Sequence, residues 1–161
     1  MLMKEILDSK DLHILEILQN DSTLPVKEIG EQIGLSFTPT YERIKNLERK
    51  GIVQKYVALI DRMKVGLEIV VYCNVTLKEQ SKQALMDFEN TAKSIPEIQE
   101  LISLSGTYDY MLKIVSTDIS SYNNFVVNVV SNIPNIGQYH SSIVLNEIKK
   151  ETMFKIPKAD K

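Results

Sequence analysis

Cysteine occurs once in the 161 residues, at Cys73, and histidine twice, at His13 and His140. One thiol excludes an internal disulfide and a cysteine-based metal cluster, and it fits a reducing cytoplasm. Cys73 lies in the apolar run 69–75 and reads as a small buried hydrophobe. No apolar run approaches the roughly 18 residues that a membrane helix needs. The start, MLMKEILDSKD, lacks the apolar core of a signal peptide, so a cytoplasmic protein with no membrane partner is expected. Large charge of one sign is also missing. The formal net charge of −2 gives no global basic signature for nucleic acid, which leaves a local patch as the route to one. Catalytic signatures are scarce. GxGxxG, GxxxxGK and HExxH do not occur, and no nucleophile has a base beside it. His140 neighbours Ser141 and Ser142, but adjacent strand residues point to opposite faces. His13 reads as a helix-surface residue. No cofactor, metal or catalytic residue is expected.

What is present organises around Leu35–Gly51, LSFTPTYERIKNLERKG. Ser36 or Thr38 is placed to cap a helix, and Pro39 falls in its first turn, where no intrahelical N–H is needed. Tyr41, Ile44 and Leu47 recur at helical spacing and form an apolar back. Thr38, Pro39, Glu42, Arg43, Asn46 and Arg49 project from the other side, with Lys45 on the flank. Hydroxyl, amide and guanidinium groups suit base edges and phosphates in a major groove. Gly51 ends the helix in the left-handed region.

Upstream, Asp8 precedes a helix over Ser9–Gln19, with Asp11 as capping-box partner. Pro25 opens a second helix over Pro25–Ile33, and Gly34 stops it. Gly30 lies inside that second helix, at a cost of about 1 kcal/mol relative to alanine. A close helix crossing accounts for it. The short turn Gly34–Ser36 then makes a helix-turn-helix whose second helix reads DNA. Residues 52–60, IVQKYVALI, are rich in β-branched and aromatic types and predict a strand, which would make the motif winged. From Arg43 to Lys55 the local charge is basic: Arg43, Lys45, Arg49, Lys50 and Lys55 against Glu48.

The second half changes character after the hinge at 61–66. The pattern predicts a strand over Leu67–Leu77, a helix over Glu79–Ser94, strands over Glu97–Ser105 and Tyr108–Ser116 around the turn Gly106-Thr107, a helix over Asp118–Ile133 and a last strand over Ile136–Lys149. The order βαββαβ gives a ferredoxin-like sheet with both helices on one face. The other face, if bare and apolar, would pair with a second copy of the chain. The expected organisation is therefore α+β. It runs as a helix-turn-helix domain at 1–53, a connecting strand and hinge at 54–66, a ferredoxin-like domain at 67–150, and a loosely ordered tail at 151–161. Lys155, Lys158 and Lys161 in that tail offer a weak phosphate contact.

Three runs, ILDSKDLHILEILQND, EIGEQIGLSFTPTYERIKNLERKGIVQKYVALID and GTYDYMLKI, resemble the leucine-responsive/asparagine-regulator family, Lrp/AsnC, from Ile6 to about Lys150. The resemblance implies a transcription regulator that binds double-stranded DNA through a winged helix-turn-helix. Its ferredoxin-like (RAM) domain would dimerise, assemble further to octamers, and bind a small effector, typically an amino acid, at subunit interfaces. Carried over by position, the candidate DNA contacts are Ser36, Thr38, Pro39, Thr40, Glu42, Arg43, Lys45, Asn46 and Arg49. Arg43 and Lys45 match basic positions, whereas Glu42 and Asn46 stand where relatives often carry a basic residue. The candidate effector residues are Gly106, Thr107, Tyr108, Asp109, Ser141 and Ser142. In this reading turn N–H groups hold a carboxylate and Asp109 answers an ammonium. Asp109 reads equally well as a cap of its own turn. Two alternatives belong to other classes: a DNA-organising feast/famine protein with no effector, and an enzyme resembling the siroheme decarboxylases.

Overall fold

The Asp8 carboxylate starts the first helix, α1 (Ser9–Asn20), by accepting from the N–H groups of Lys10 and Asp11. Asp11 returns the contact to the Asp8 N–H, which completes the expected capping box. The computed structural model describes residues 7–157. Ile6, at the head of the matching run, and Lys158 and Lys161 of the proposed phosphate contact lie outside the described residues. Within them the chain divides into two compact units. One holds the residues up to Leu59 together with 149–157; the other is Ile60–Ile148.

In the first unit α2 (Val26–Ile33) and α3 (Phe37–Arg49) follow α1. Ile14, Leu15, Ile17, Ile29, Ile33, Ile44 and Leu47 form the core between them. Gly34 closes α2 at φ 69°, where a side chain would be strained. The Lys10 ammonium donates to the Ile33 carbonyl at the same end and so ties α1 to α2. The turn to α3 is as short as expected. Gly30 sits where α2 meets that turn: a Cβ there would lie 2.7 Å from the Leu35 carbonyl oxygen and 3.0 Å from Thr40 Oγ1. The glycine is thus the close crossing that its helix-weakening position predicts.

The back of α3 differs from expectation at one position. Thr40, Ile44 and Leu47 are its buried residues, and Tyr41 is 40% exposed. Thr40 takes the inward place because its Oγ1 donates to the Ser36 carbonyl 2.8 Å away, which satisfies the hydroxyl inside the core. Neither Ser36 nor Thr38 caps α3 through its side chain: Ser36 is the N-cap residue, with no side-chain hydrogen bond.

The strand expected over Ile52–Ile60 is not formed. The N–H groups of Ile52 and Val53 donate to the Leu47 carbonyl and finish α3, and the following residues have no ladder partner. β-type composition is insufficient without a neighbouring strand to pair with. The tail is not loose over its described residues, 151–157, either. Gln19 exchanges two hydrogen bonds with the Phe154 backbone, at 3.2 and 3.0 Å, and Ile156 packs on the helical core.

The second unit is an antiparallel sheet of β1 (Ile69–Leu77), β2 (Ile98–Ser103), β3 (Tyr110–Ser116) and β4 (Ile136–Ile143), in the order β2-β3-β1-β4. Helices α4 (Lys82–Lys93) and α5 (Ile119–Asn128) complete the βαββαβ chain order. Val71, Cys73, Val75, Leu112 and Ile114 of the central strands pack with Phe88, Ala92, Tyr122 and Val126 of the helices. Ser81 and Asp118 cap the two helices with their side chains. The last strand ends at Ile143, six residues before the expected Lys149, and only its first residue, Ile136, is buried. By alternation the opposite sheet face is mixed: it carries Tyr72, Asn74, Thr76 and Lys113 together with Val70, Met111 and Val115, and Lys113 is ion-paired with Glu100 at 2.7 Å.

Gly30→Ala gains helix propensity yet drives a methyl into backbone. It is expected to lower stability by about 1–3 kcal/mol, read as a lower denaturant midpoint. A variant as stable as the parent would contradict the crossing.

Candidate functional sites

The first candidate site is the outer face of α3. Ser36, Thr38, Pro39, Glu42, Asn46 and Arg49 are all exposed, and so is Phe37. Thr40 is withdrawn from the set of DNA contacts, because it is 0% exposed and faces Gly30. Arg43 is placed differently from the sequence expectation. Its Nη1 lies 2.7 Å from Asp8 Oδ2 and 2.7 Å from Asp11 Oδ1. The guanidinium therefore clamps α3 to the capping box of α1 rather than standing free over the groove. The two carboxylates, Asp11 first, push its pKa up. Lys45 is held along the helix by Glu48 at 2.6 Å, and Glu48 also accepts from the Tyr56 hydroxyl at 3.1 Å.

Sequence reasoning missed an aromatic pair on the flank of this helix. Phe37 and Tyr41 stack with centroids 6.0 Å apart and planes 11° from parallel. Their i, i+4 spacing was the available signal, but Tyr41 reads as core by periodicity alone.

The second candidate site is the turn before β3. Gly106 has φ 141°, a conformation that suits glycine, and both it and Thr107 are exposed. Asp109 is engaged within the chain. Oδ2 accepts from the Leu77 N–H at 2.7 Å and Oδ1 from the Gln80 amide at 2.9 Å. Its own N–H donates to the Val75 carbonyl, and its carbonyl accepts from Leu104. The carboxylate thus does not cap its own turn; it fastens the segment Leu77–Gln80 beside it. Asn135 fastens the same segment from β4's side, exchanging side-chain hydrogen bonds with Glu79 at 2.8 Å each way.

The structure does not gather Ser141 and Ser142 with that turn as one lining. Register pairs Ser141 with Cys73 and Ser142 with Tyr72, so they face opposite sides of the sheet. On the helix side, Ser141 Oγ is 2.6 Å from the Tyr122 hydroxyl and 3.9 Å from Cys73 Sγ. Burial pushes the Tyr122 hydroxyl up to about 12 and raises the Cys73 thiol, so neither ionises near neutral pH. The residue that meets the turn is His140, whose ring centroid lies 5.5 Å from that of Tyr108. Tyr108 precedes β3 and His140 lies in β4, so sequence periodicity does not carry that contact.

Among the described residues no cluster of His, Cys, Asp and Glu could hold a metal, and no helix is long and apolar enough to cross a membrane. Residues 7–48 match the AsnC-type helix-turn-helix domain, and residues 70–154 match the Lrp/AsnC ligand binding domain. The chain belongs to the Lrp/AsnC family. It is similar to the transcriptional regulator AzlB of Bacillus subtilis, at 33% identity over 90% of this chain and 92% of that protein. It is also similar to the leucine-responsive regulatory protein of Escherichia coli, at 31% over 93% of this chain and 92% of that one. A regulator from Neisseria meningitidis solved as its L-methionine complex superposes with a TM-score of 0.89. Its identity is 33%, over 93% of this chain and 97% of that one. An AsnC family regulator from Agrobacterium tumefaciens gives 0.88 at 34%, over 92% and 97%. This Lrp/AsnC member is thus a transcriptional regulator with a DNA-binding and a ligand-binding domain, not an enzyme.

Three outcomes follow. Replacing Arg43 with Ala removes a partly exposed clamp worth about 1 kcal/mol. It is expected to lower the melting temperature and leave the base preference of bound DNA unchanged; relaxed preference at unchanged stability would assign Arg43 to a base. The clamp also carries a pH dependence. The Asp11 N–H, and then Arg43, hold the Asp8 carboxyl below its ordinary value. Its contribution is complete above the unfolded aspartate value of about 3.9 and is lost as pH falls through the lower folded value. Asp8→Asn keeps a good cap but flattens that acid limb. Separately, Asp109→Ala strands the part-buried Leu77 N–H and frees the exposed Gln80 amide to water. It is expected to cost about 2 kcal/mol without any ligand. An unchanged melting point in ligand-free protein would return the carboxylate to an effector.

Proposed function

We propose that the chain is a homo-oligomeric, sequence-specific regulator whose affinity for double-stranded DNA is set by an amino acid bound at the turn Gly106–Tyr108. The observation that carries the DNA half is the division of labour on α3. Thr40, Arg43, Ile44 and Leu47 hold the helix, which leaves Thr38, Pro39, Glu42, Asn46 and Arg49 for the groove. Asn46 suits adenine, Glu42 a cytosine amine, and Arg49 a guanine edge or a phosphate. Ser36 is a backbone-positioning contact, and Lys45 a phosphate one.

The effector half is supported by the L-methionine bound to the Neisseria regulator and by the exposed Gly106–Thr107 turn with Tyr108 and His140 beside it. In this reading the turn takes the carboxylate and the Tyr108–His140 pair takes the side chain. Asp109 holds the neighbouring segment Leu77–Gln80 and does not touch the ligand.

Self-association is supported by the unpaired β-type segment after α3. Val57 and Leu59 are 58% and 73% exposed there. A groove of about 710 Å³ lies between that segment, α1 and the tail, lined by Leu15, Leu18, Val53, Phe154 and Ile156. A second copy that pairs this segment gives its backbone a ladder and covers the apolar side chains. Two tethered recognition helices then gain affinity by effective concentration, by about 10²–10⁴.

The test is a thermal-shift screen of the twenty amino acids on the full chain. A ligand at one hundred times its Kd stabilises by about 2.7 kcal/mol. At least one amino acid is expected to do so, and Tyr108→Ala to remove most of the shift. If no amino acid moves the melting point, the effector half fails and the DNA-organising reading replaces it.

A further inference from the structure

Phe37 is the first residue of α3 and 57% exposed. An aromatic ring left that open on a helix end keeps most of its apolar surface in water. The ring is also held in place. It stacks on Tyr41 at 6.0 Å. Tyr41 in turn is backed by the Lys45 ammonium, 5.7 Å from its ring centroid. Lys45 is fixed by Glu48, and Glu48 by the Tyr56 hydroxyl. The result is a fixed apolar tip beside Ser36, Thr38 and Pro39, at the end of the recognition helix whose residues reach base edges. It lies on the flank that Phe37 shares with Tyr41 and Lys45, and meets the proposed DNA contacts only at the helix end, beside Ser36 and Thr38.

We propose that Phe37 reads the C5-methyl group of a thymine in the major groove, with Tyr41 as the positioning residue behind it. The inference rests on the DNA-binding reading above. A phenyl ring has no donor or acceptor, so it cannot serve a phosphate or a polar base edge. Of the groups that the major groove presents, the thymine methyl is the apolar one. Phe37 therefore adds a thymine requirement at one position of each half-site, and the effect does not depend on salt.

The experiment starts from duplexes selected by the full-length protein from a random library. Each thymine of a half-site is then replaced in turn by deoxyuridine, which removes the methyl and nothing else. For the parent protein, one such replacement is expected to weaken binding about three- to fivefold, the worth of one methyl-sized group. Phe37→Ala is expected to bind the thymine duplex more weakly by a similar factor, to be indifferent to deoxyuridine at that position, and to keep the parent's salt slope. Phe37→Leu is expected to retain part of the discrimination. A parent that selects sites but tolerates deoxyuridine everywhere overturns the methyl contact alone. Phe37→Ala that stays as sensitive as the parent overturns it too, since another side chain then reads the methyl. A parent that enriches no sequence at all overturns the DNA-binding reading, and this proposal with it.

Discussion

The contact on which the helix-turn-helix unit depends is the approach of α2 to the turn and to α3 at Gly30. The Leu35 carbonyl and the Thr40 hydroxyl occupy the space that any side chain at this position would need. Backbone against backbone fixes the crossing more tightly than interdigitated side chains could, because no rotamer can relax it. Arg43 then sets the rotation of α3 about its own axis by gripping the capping box of α1. Crossing and rotation together decide which residues of α3 remain outward. The residues proposed to meet DNA are those that the packing leaves outward.

The ligand-binding unit is built in the same way. The segment Leu77–Gln80 is fastened by Asp109 on one side and by Asn135 on the other. Both residues act through local hydrogen bonds that leave the Gly106–Thr107 tip exposed. A rigid frame around an open turn suits small-molecule recognition, because little ordering remains to be done on binding. The Cys73–Ser141–Tyr122 contact belongs to the frame as well, with a thiol and a phenol that burial keeps neutral.

What was legible in the sequence was local. The Asp8 capping box, the Gly34 stop and the Gly30 crossing each follow from one residue's fit to its own helix, and the βαββαβ order follows from periodicity. What was not legible depended on partners distant in sequence. Arg43 and Asp8 are 35 residues apart, so a basic residue on the outer side of a helix read as a groove contact. Thr40 and Tyr41 exchanged roles because a threonine can bury its hydroxyl on its own helix's backbone, which hydropathy does not register. Residues 52–60 had the composition of a strand but no neighbour in the chain. The partners of Ser141 and Ser142 follow from register, which periodicity does not supply, and the Tyr108–His140 contact joins groups 32 residues apart.

The central claim is that the inward side of α3 holds the helix and only its outward side reads DNA. A structure of the full-length chain on a selected duplex tests it most directly, through the distance from Arg43 Nη1 to Asp11 Oδ1 and to the nearest base. The account predicts that Arg43 keeps its grip on Asp8 and Asp11 while Phe37, Thr38 and Asn46 lie in the groove. An Arg43 side chain that has left the clamp and forks onto a guanine would contradict it.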